Sequence, residues 1–216
     1  MPVTILQEQI FPDWCELRHY DVIKLHAGNS HTFERKEKCE KIIICSGQGR
    51  LAYYDKELHF LDVGAKANVD IGDEVNSFKL DQIKESLTVV RMCGTWGKEV
   101  GGSGLFSMKN VEPDSQQDRG DPVTYEKTTT LDNHFHDCDE YWIAYSGNAC
   151  VVSEGKEYSL NTGDCLITGM GHHHDIKHVI DPLEAVYFET TLMGEKRRGH
   201  LWDHTHGIAE PVLDRV

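Results

Sequence analysis

The sequence has few basic residues, no long hydrophobic run and no pair of cysteines in C-x-x-C spacing. Its 22 lysines and arginines are outnumbered by 36 aspartates and glutamates, which gives a formal net charge of −14 at pH 7. A surface this negative repels phosphate backbones and anionic lipids, so we expect neither nucleic acid nor a membrane as a partner. No segment comes near the roughly 20 consecutive apolar residues that a membrane-spanning helix needs.

The cysteines exclude two further classes of protein. The seven cysteines are an odd number, and several lie within apolar runs, such as Cys45 in IIICSG and Cys150 in ACVV. A reduced thiol in such a run behaves as a small hydrophobic side chain, which argues against a disulfide framework and a zinc ribbon. The first residues, MPVTILQEQIFPDWCELRHY, have no basic segment followed by an apolar core. We therefore expect no secretory signal and a cytoplasmic location.

Helical periodicity is also scarce, and short runs of β-branched and aromatic residues replace it. These runs are separated by Gly, Asn and Asp, the residues that favour turns. They read KIIICSG, GRLAYYD, LTVVRM, EYWIAYSG, ACVVSEG, DCLITG and EAVYFETT. Many short strands with regular turn signals predict an all-β sandwich or barrel.

The run of strands is repeated along the chain. Residues 40–47 read EKIIICSG and residues 140–147 read EYWIAYSG, so Glu, Ser and Gly recur at an offset of 100. Each copy continues through a second pair of strands, and Gly64 and Gly163 close the two copies at an offset of 99. Two matches in register predict two homologous β-domains in one chain.

Changes in composition suggest the domain boundaries. We predict an N-terminal domain over 1–96, a connector over 97–120, a C-terminal domain over 121–193 and a tail over 194–216. The connector is rich in Gly, Asp, Gln and Pro, which is typical of a linker. The polar tail, KRRGHLWDHTHGIAEPVLDRV, is expected to pack over the outside.

The stretch HFHDCDEY, residues 134–141, carries the candidate metal ligands. His134 and His136 are two apart and face the same side of a strand, Glu140 begins the next strand, and His174 follows in GDCLITGMGHHHDIKH. Strands that are distant in sequence can bring these four side chains together around a barrel. Three imidazoles and one carboxylate suit Mn, Fe, Co, Ni or Zn. The alternative, four polar groups hydrogen-bonded within a sheet, would be costly to bury without a cation.

These spacings resemble the cupin superfamily. Its first motif is G(X)5HXH(X)3–4E(X)6G, and this chain has His134, His136, Glu140 and Gly147 at the matching positions. The leading glycine is replaced by Thr128.

The second cupin motif, G(X)5PXG(X)2H(X)3N, is matched less closely. The chain has Gly163, then Gly169 in place of proline, Gly171, His174 and, in place of asparagine, His178. The resemblance implies two cupin barrels, each a double-stranded β-helix or jelly roll, so that the chain would be a bicupin. It is close over roughly residues 125–190 and loose over 25–95.

The same register predicts that the N-terminal copy holds no metal. Glu34 and Lys36 stand where the second copy has its HxH pair, Glu40 is retained, and Val75 matches the remaining histidine. The resemblance therefore implies one divalent transition metal per chain, Mn, Fe, Ni or Zn, and a structural role for the N-terminal domain.

Further residues near the motifs have two readings each. His178 could face inward and shuttle protons, because its ordinary pKa lies near neutrality, or it could be structural. Trp142 could line the cavity or pack in the core. His172 and His173 are predicted to be groups at the rim. The second HxH, His204 and His206 with His200 upstream, and the basic cluster 196–198 are predicted to lie on the surface.

Three functions follow from the resemblance. The first is a metal-dependent enzyme acting on a small polar metabolite, such as a sugar or a sugar or keto acid, by isomerase-type or lyase-type proton transfer. The second is an iron-dependent dioxygenase, and the third is a non-catalytic ligand-binding or structural bicupin. Apolar outer faces of the paired β-domains predict a homodimer.

Overall fold

The chain folds into strands connected by turns. The computed structural model describes residues 3–111, 120–192 and 208–216. Within these ranges no helix is long and apolar enough to cross a membrane. The strands are β1 Val3–Thr4, β2 Leu17–His26, β3 His31–Glu34, β4 Cys39–Ser46, β5 Gln48–Tyr54, β6 Leu58–Gly64, β7 Asn68–Ile71, β8 Ser77–Asp81, β9 Ser86–Gly94, β10 Val100–Met108, β11 Glu140–Ser153, β12 Lys156–Asn161, β13 Cys165–Thr168 and β14 His174–Thr191. The prediction of an all-β protein is confirmed.

Residues 16–96 form one of two compact units. One sheet has the strand order β2-β9-β4-β7, and a second has the order β3-β8-β5-β6. The apolar run of β4 lies at the centre of the first sheet, where Ile42, Ile43 and Ile44 are fully buried. β-Branched side chains pack well on such a pleated surface, which is why this run forms a strand. One core cluster combines residues from both sheets, among them Ile42, Ile44, Leu51 and Leu80.

The second unit combines residues 1–15 with residues 97–216. Its sheet has the order β1-β13-β11-β14-β10, and β12 also pairs with β11. The long strands β11 and β14 pair along most of their length, and four irregularities interrupt the register. Such bulges bend a strand, so that one strand can serve two parts of a curved sheet. The core of this unit includes Trp142, Val151, Leu166, Ile176 and Leu183.

The unit boundaries differ from the predicted domains at three places. The predicted connector, 97–120, contains β10, which pairs with β14. Its glycines are packing residues, because a Cβ at Gly101 would lie 2.6 Å from the Cβ of Glu189. The first residues belong with the C-terminal unit, since Val3 and Thr4 pair with β13. Residues 208–216 also belong to that unit, whereas His200, His204, His206 and the basic cluster 196–198 lie outside the described residues.

Candidate metal centre

Four side chains meet inside the C-terminal unit. The ligand atoms of His134, His136, Glu140 and His174 all lie within 4.8 Å of one another, and all four residues are buried. Strand ends bring them together: Glu140 is the first residue of β11 and His174 the first of β14. His134 joins them through an antiparallel bridge, in which its N–H donates to the His174 carbonyl at 3.3 Å and its carbonyl accepts the return bond at 2.9 Å. The predicted convergence is therefore present.

Backbone carbonyls orient two of the imidazoles. Nδ1 of His134 lies 2.9 Å from the carbonyl oxygen of Asp132, and Nδ1 of His174 lies 3.2 Å from that of His172. A carbonyl oxygen only accepts hydrogen bonds, so Nδ1 is the donor in both contacts and Nε2 is the ring atom that would bind an ion. Metal-binding histidines are held in the same way, because this contact sets both the tautomer and the ring orientation.

Electrostatics favour an ionised carboxylate among the rings. The Glu140 Oε2 atom lies 2.5 Å from His174 Nε2 and 3.1 Å from His136 Nε2. Burial raises the pKa of Glu140, but the two imidazoles outweigh it and hold the pKa well below its usual range. Burial and the neighbouring histidines lower the pKa of His134 well below its usual value, so this ring is neutral. Burial lowers the pKa of His136 as well, but the Glu140 charge outweighs it and the net shift is upward.

This donor set fits a divalent transition metal. Neutral imidazole nitrogens and one carboxylate oxygen are the ligands that such ions take, and the four donor atoms are close enough for a single ion. Proton binding to His136 competes with the metal, because a ligating imidazole must be deprotonated.

Trp142 lies beside the cluster. Its ring packs edge-on against His174 with centroids 5.1 Å apart, and Phe106 contacts it at 5.4 Å. Trp142 is also part of the apolar core. The indole is therefore a core residue whose ring covers one side of His174, and the reading in which it lines a cavity stays a prediction.

Of the two readings of His178, the inward one does not fit the strand register. Val151 pairs with Ile176, but the next residue back, Cys150, pairs with His178, so Lys177 is an extra residue on β14. This bulge reverses the alternation of side chains, as an extra residue does in any strand. Ile176 and Val179 are in the core, whereas His178 is partly exposed on the other face. His178 is therefore not placed to move a proton at the cluster.

His172 and His173 attach neighbouring segments to the site. His172 Nε2 lies 2.9 Å from the carbonyl oxygen of Val212, and His173 Nε2 lies 2.8 Å from the Asp121 carboxylate. The His173 backbone N–H donates to Glu154 at 2.6 Å. Both histidines thus lie outside the cluster, and their contacts hold in place the loop that leads into His174.

The C-terminal segment 208–216 packs on the same loop. Arg215 pairs at 2.9 Å with the buried carboxylate of Asp139, the residue before Glu140. The Val212 N–H donates to the Met170 carbonyl at 3.2 Å. A Cβ at Gly169 would lie 2.3 Å from the Arg215 carbonyl oxygen, so the backbone approach requires glycine there. The sequence placed the tail outside the domain and contained no signal for these contacts.

We expect that Arg215→Gln destabilises the protein by about 2 kcal/mol, because a buried carboxylate loses a charged hydrogen bond. We also expect metal affinity to fall by about tenfold, the usual cost of disturbing groups that orient ligands. Urea unfolding and a competitive metal titration measure the two effects. Lys156→Gln removes one exposed positive charge and serves as the control. Unchanged metal affinity in Arg215→Gln would show that the C-terminal segment does not help to orient the metal ligands.

Two polar residues of β14 face the cluster and were missed by the sequence. Glu189 pairs with Glu140 and Tyr187 pairs with Trp142, and paired residues of antiparallel strands share a face. The Glu189 Oε1 atom lies 3.7 Å from His136 Nδ1. The alternation within EAVYFETT puts these two residues on one face, but only the strand pairing shows that this face is that of the metal ligands.

An aromatic pair joins β3 and β8 in the N-terminal unit, where Phe33 pairs with Phe78. The assignment of Glu34, Lys36 and Val75 to the positions of the C-terminal histidines stays a prediction. The two phenylalanine rings stack with centroids 4.8 Å apart.

Glu40 is retained in this unit, and an arginine neutralises it. The Arg91 guanidinium contacts the Glu40 carboxylate at 2.7 Å and 3.0 Å, and both side chains are buried. It also lies 5.1 Å from the centre of the Phe33 ring. A fixed positive charge therefore stands beside the buried Glu40 carboxylate.

Solved structures with a similar fold include two cupin-fold proteins, oxalate decarboxylase and vicilin. Oxalate decarboxylase of Bacillus subtilis matches with a TM-score of 0.56 and 12% identity over 89% of this chain and 73% of that chain. Hazelnut (Corylus avellana) vicilin matches with a TM-score of 0.52 and 8% identity over 81% and 75% of the two chains. The conserved protein of unknown function PA5104 of Pseudomonas aeruginosa PAO1 matches with a TM-score of 0.55 and 13% identity over 86% and 87%.

The fold and the histidine–glutamate cluster thus define a cupin-fold protein with a candidate metal site. No family model matches the sequence. The chain belongs to the same family as the uncharacterized protein y4oW of Sinorhizobium fredii (strain NBRC 101917 / NGR234), with which it is 38% identical over 211 residues, 95% of this chain and 92% of that protein. The homodimer and the cytoplasmic location stay predictions.

Proposed function

We propose that this protein is a metal-dependent enzyme that moves a proton on a small polar metabolite without redox change. The observation that carries the proposal is the buried cluster of His134, His136, Glu140 and His174, with donor atoms within 4.8 Å of one another. When bound there, one divalent ion would polarise a carbonyl or hydroxyl group of the substrate. The donor set suits Mn, Fe, Ni or Zn, and Mn(II) centres are named for the oxalate decarboxylase of similar fold.

The chain's own residues supply the remaining parts of the proposed reaction. Trp142 packs on His174 and excludes water from one side of the site. Glu189 and Tyr187 stand on the face of the metal ligands, where they can accept or donate a hydrogen bond at a substrate oxygen. We propose Glu189, instead of His178, as the group that receives a substrate proton, and its contact with His136 supports this role.

We further propose that the chain is a bicupin in which only the C-terminal unit binds metal. Strand registers support the duplication: Glu40 pairs with Ile71 and Ile43 with Asn68, just as Glu140 pairs with Thr168 and Ile143 with Cys165. In the N-terminal unit Glu40 is paired with the Arg91 guanidinium, and two phenylalanine rings stack between β3 and β8. That unit would have a structural role.

We expect turnover of a hydroxylated or keto metabolite to proceed at the same rate under air and under nitrogen. Removal of metal should abolish this turnover, and its return should restore it, because the ion carries the polarisation of the substrate. Elemental analysis of protein purified without added metal identifies the ion, and a panel of sugars and keto acids is then assayed in both atmospheres. Turnover only under air would favour the dioxygenase. Full activity of metal-stripped protein would contradict the proposal.

A further inference from the structure

A buried ion pair lies beside the metal cluster in the C-terminal unit. The Lys127 Nζ atom contacts the Asp175 Oδ1 atom at 2.5 Å, and the two side chains are 2% and 0% exposed. Asp175 directly follows the candidate ligand His174 in β14. Two further donors reach the same carboxylate, the Tyr125 hydroxyl group at 2.9 Å and the Ile176 backbone N–H at 2.6 Å. The carboxylate is therefore held in place next to one of the four ligands.

The lysine end of this pair reaches the segment that orients a second ligand. The Lys127 ammonium group also donates to the backbone carbonyl of Leu131. The next residue is Asp132, whose carbonyl oxygen lies 2.9 Å from Nδ1 of His134. One ammonium group therefore connects the residue beside His174 with the segment that holds the His134 ring.

Other hydrogen bonds attach the same segment to β14 without the ion pair. The Thr128 backbone N–H donates to the Lys177 carbonyl at 2.9 Å. The hydroxyl group of Thr129, a fully buried residue, donates to the Ile176 carbonyl. Because these contacts need neither Lys127 nor Asp175, the segment should stay on the strand when the pair is removed. The part that depends on the pair is the carbonyl-bearing stretch that follows Thr129.

Stability alone does not account for a pair that is buried to this extent. Removing two charges from water costs about as much free energy as their attraction returns, so uncharged replacements are often equally stable. What the pair does provide is a fixed distance between two segments that lie 48 residues apart in the chain. Those two segments carry His134 and His174, which must be held at a definite separation to bind one ion.

We propose that Lys127 and Asp175 are positioning residues of the metal centre, which hold His134 and His174 in the arrangement that binds the ion. The inference rests on the proposed function and adds to it two residues from outside the ligand set. Both act through the two histidines and not on the ion itself. Mutation of groups that orient metal ligands typically lowers metal affinity by about 10–100-fold, and we expect an effect of this size here.

Removal of both charges separates positioning from stability. Lys127→Met keeps an unbranched side chain, and Asp175→Asn keeps the size of the side chain and its contacts with Tyr125 and Ile176. The double variant Lys127→Met/Asp175→Asn should therefore have a urea midpoint close to that of the unaltered protein. Its affinity for Co²⁺ should nevertheless fall at least about tenfold, and the visible absorption bands of the bound ion should change. Competition with a chromogenic chelator measures the affinity, independently of any turnover.

Two further variants complete the test. Lys177→Met/Glu157→Gln removes a more exposed ion pair of the same strand, with an N–O distance of 2.6 Å, and is the matched control. It should bind Co²⁺ as the unaltered protein does. Tyr125→Phe keeps both buried charges and removes one hydrogen bond to Asp175, so it should weaken Co²⁺ binding several-fold. This milder change provides a result even if the double variant at Lys127 and Asp175 does not fold.

The possible outcomes separate the two proposals. Failure of the unaltered protein to bind Co²⁺ would overturn the proposed function. If the unaltered protein binds Co²⁺, a folded Lys127→Met/Asp175→Asn variant with the same affinity and spectrum would overturn the positioning inference alone. The inference would also fail if the control pair variant lost as much affinity. With a double variant that does not fold, unchanged affinity in Tyr125→Phe would overturn it.

Discussion

Glu140→Gln is expected to lower the affinity for divalent metal by at least about 100-fold and to abolish turnover. The substitution keeps the shape of the side chain but removes the only anionic member of the cluster. At a metal concentration about 1,000 times its dissociation constant, a bound ion stabilises the native state by about 4 kcal/mol. This corresponds to a rise in Tm of roughly 8–16 °C. The full rise should be present in the unaltered protein, and at the same metal concentration no more than about a third of it should remain in Glu140→Gln.

Metal content by elemental analysis and Tm with and without added ion measure this effect. Glu184→Gln, which removes an exposed carboxylate of β14, is the matched control and should keep both the metal and the rise in Tm. Because Glu140 lies against two imidazoles, the metal-free variant must be shown to be folded before its metal content is interpreted. A full equivalent of tightly bound metal in Glu140→Gln would rule out this cluster as the metal centre.

Arg91→Met is expected to destabilise the protein by about 3–5 kcal/mol, although it lies outside the proposed metal-binding unit. Removal of one member of a buried ion pair leaves the other charge uncompensated, which is far more costly than loss of an exposed pair. Glu40 is 2% exposed, and the two backbone N–H groups of Lys36 and Glu37 that donate to it cannot supply a charge. Urea unfolding measures the loss, and hydrogen exchange across β4 and β9 localises it.

The double variant Arg91→Met/Glu40→Leu tests the physical reason for that loss. Replacement of a buried ion pair by apolar residues of similar volume is often neutral or stabilising. The double variant should therefore recover most of the stability that the single variant loses, and metal binding by the C-terminal unit should be unchanged in both. A single variant within about 1 kcal/mol of the unaltered protein would show that Arg91 does not compensate Glu40.

The strands and the ligand set could be predicted because both depend on short segments. A run such as KIIICSG favours a strand through its β-branched side chains, and β4 indeed covers most of it. The ligands were predictable because His134, His136 and Glu140 lie within seven residues, where spacing alone limits the geometry. His174 could be added only through the spacing of the second motif.

The structure differs from the sequence-based expectation at His178 and in the predicted connector 97–120. At each place a single extra residue or a glycine changes the local structure. Lys177 is a bulge that no residue type announces, and it moved His178 to the other face of β14. The glycines of β10 indicate a linker by composition, yet they are required by the side chains of the neighbouring strand. In both cases the deciding contact is with a residue far away along the chain.

The sequence by itself determined the all-β class and the four candidate ligands, because periodicity, turn residues and motif spacing are local properties. Only the tertiary structure decided which other groups face those ligands. The pairing of β11 with β14 puts Glu189 and Tyr187 on the face of the four candidate ligands. The pairing of β4 with β9 brings Arg91 next to Glu40. Register between distant strands is set by the packing of the whole sheet, so no short segment encodes it.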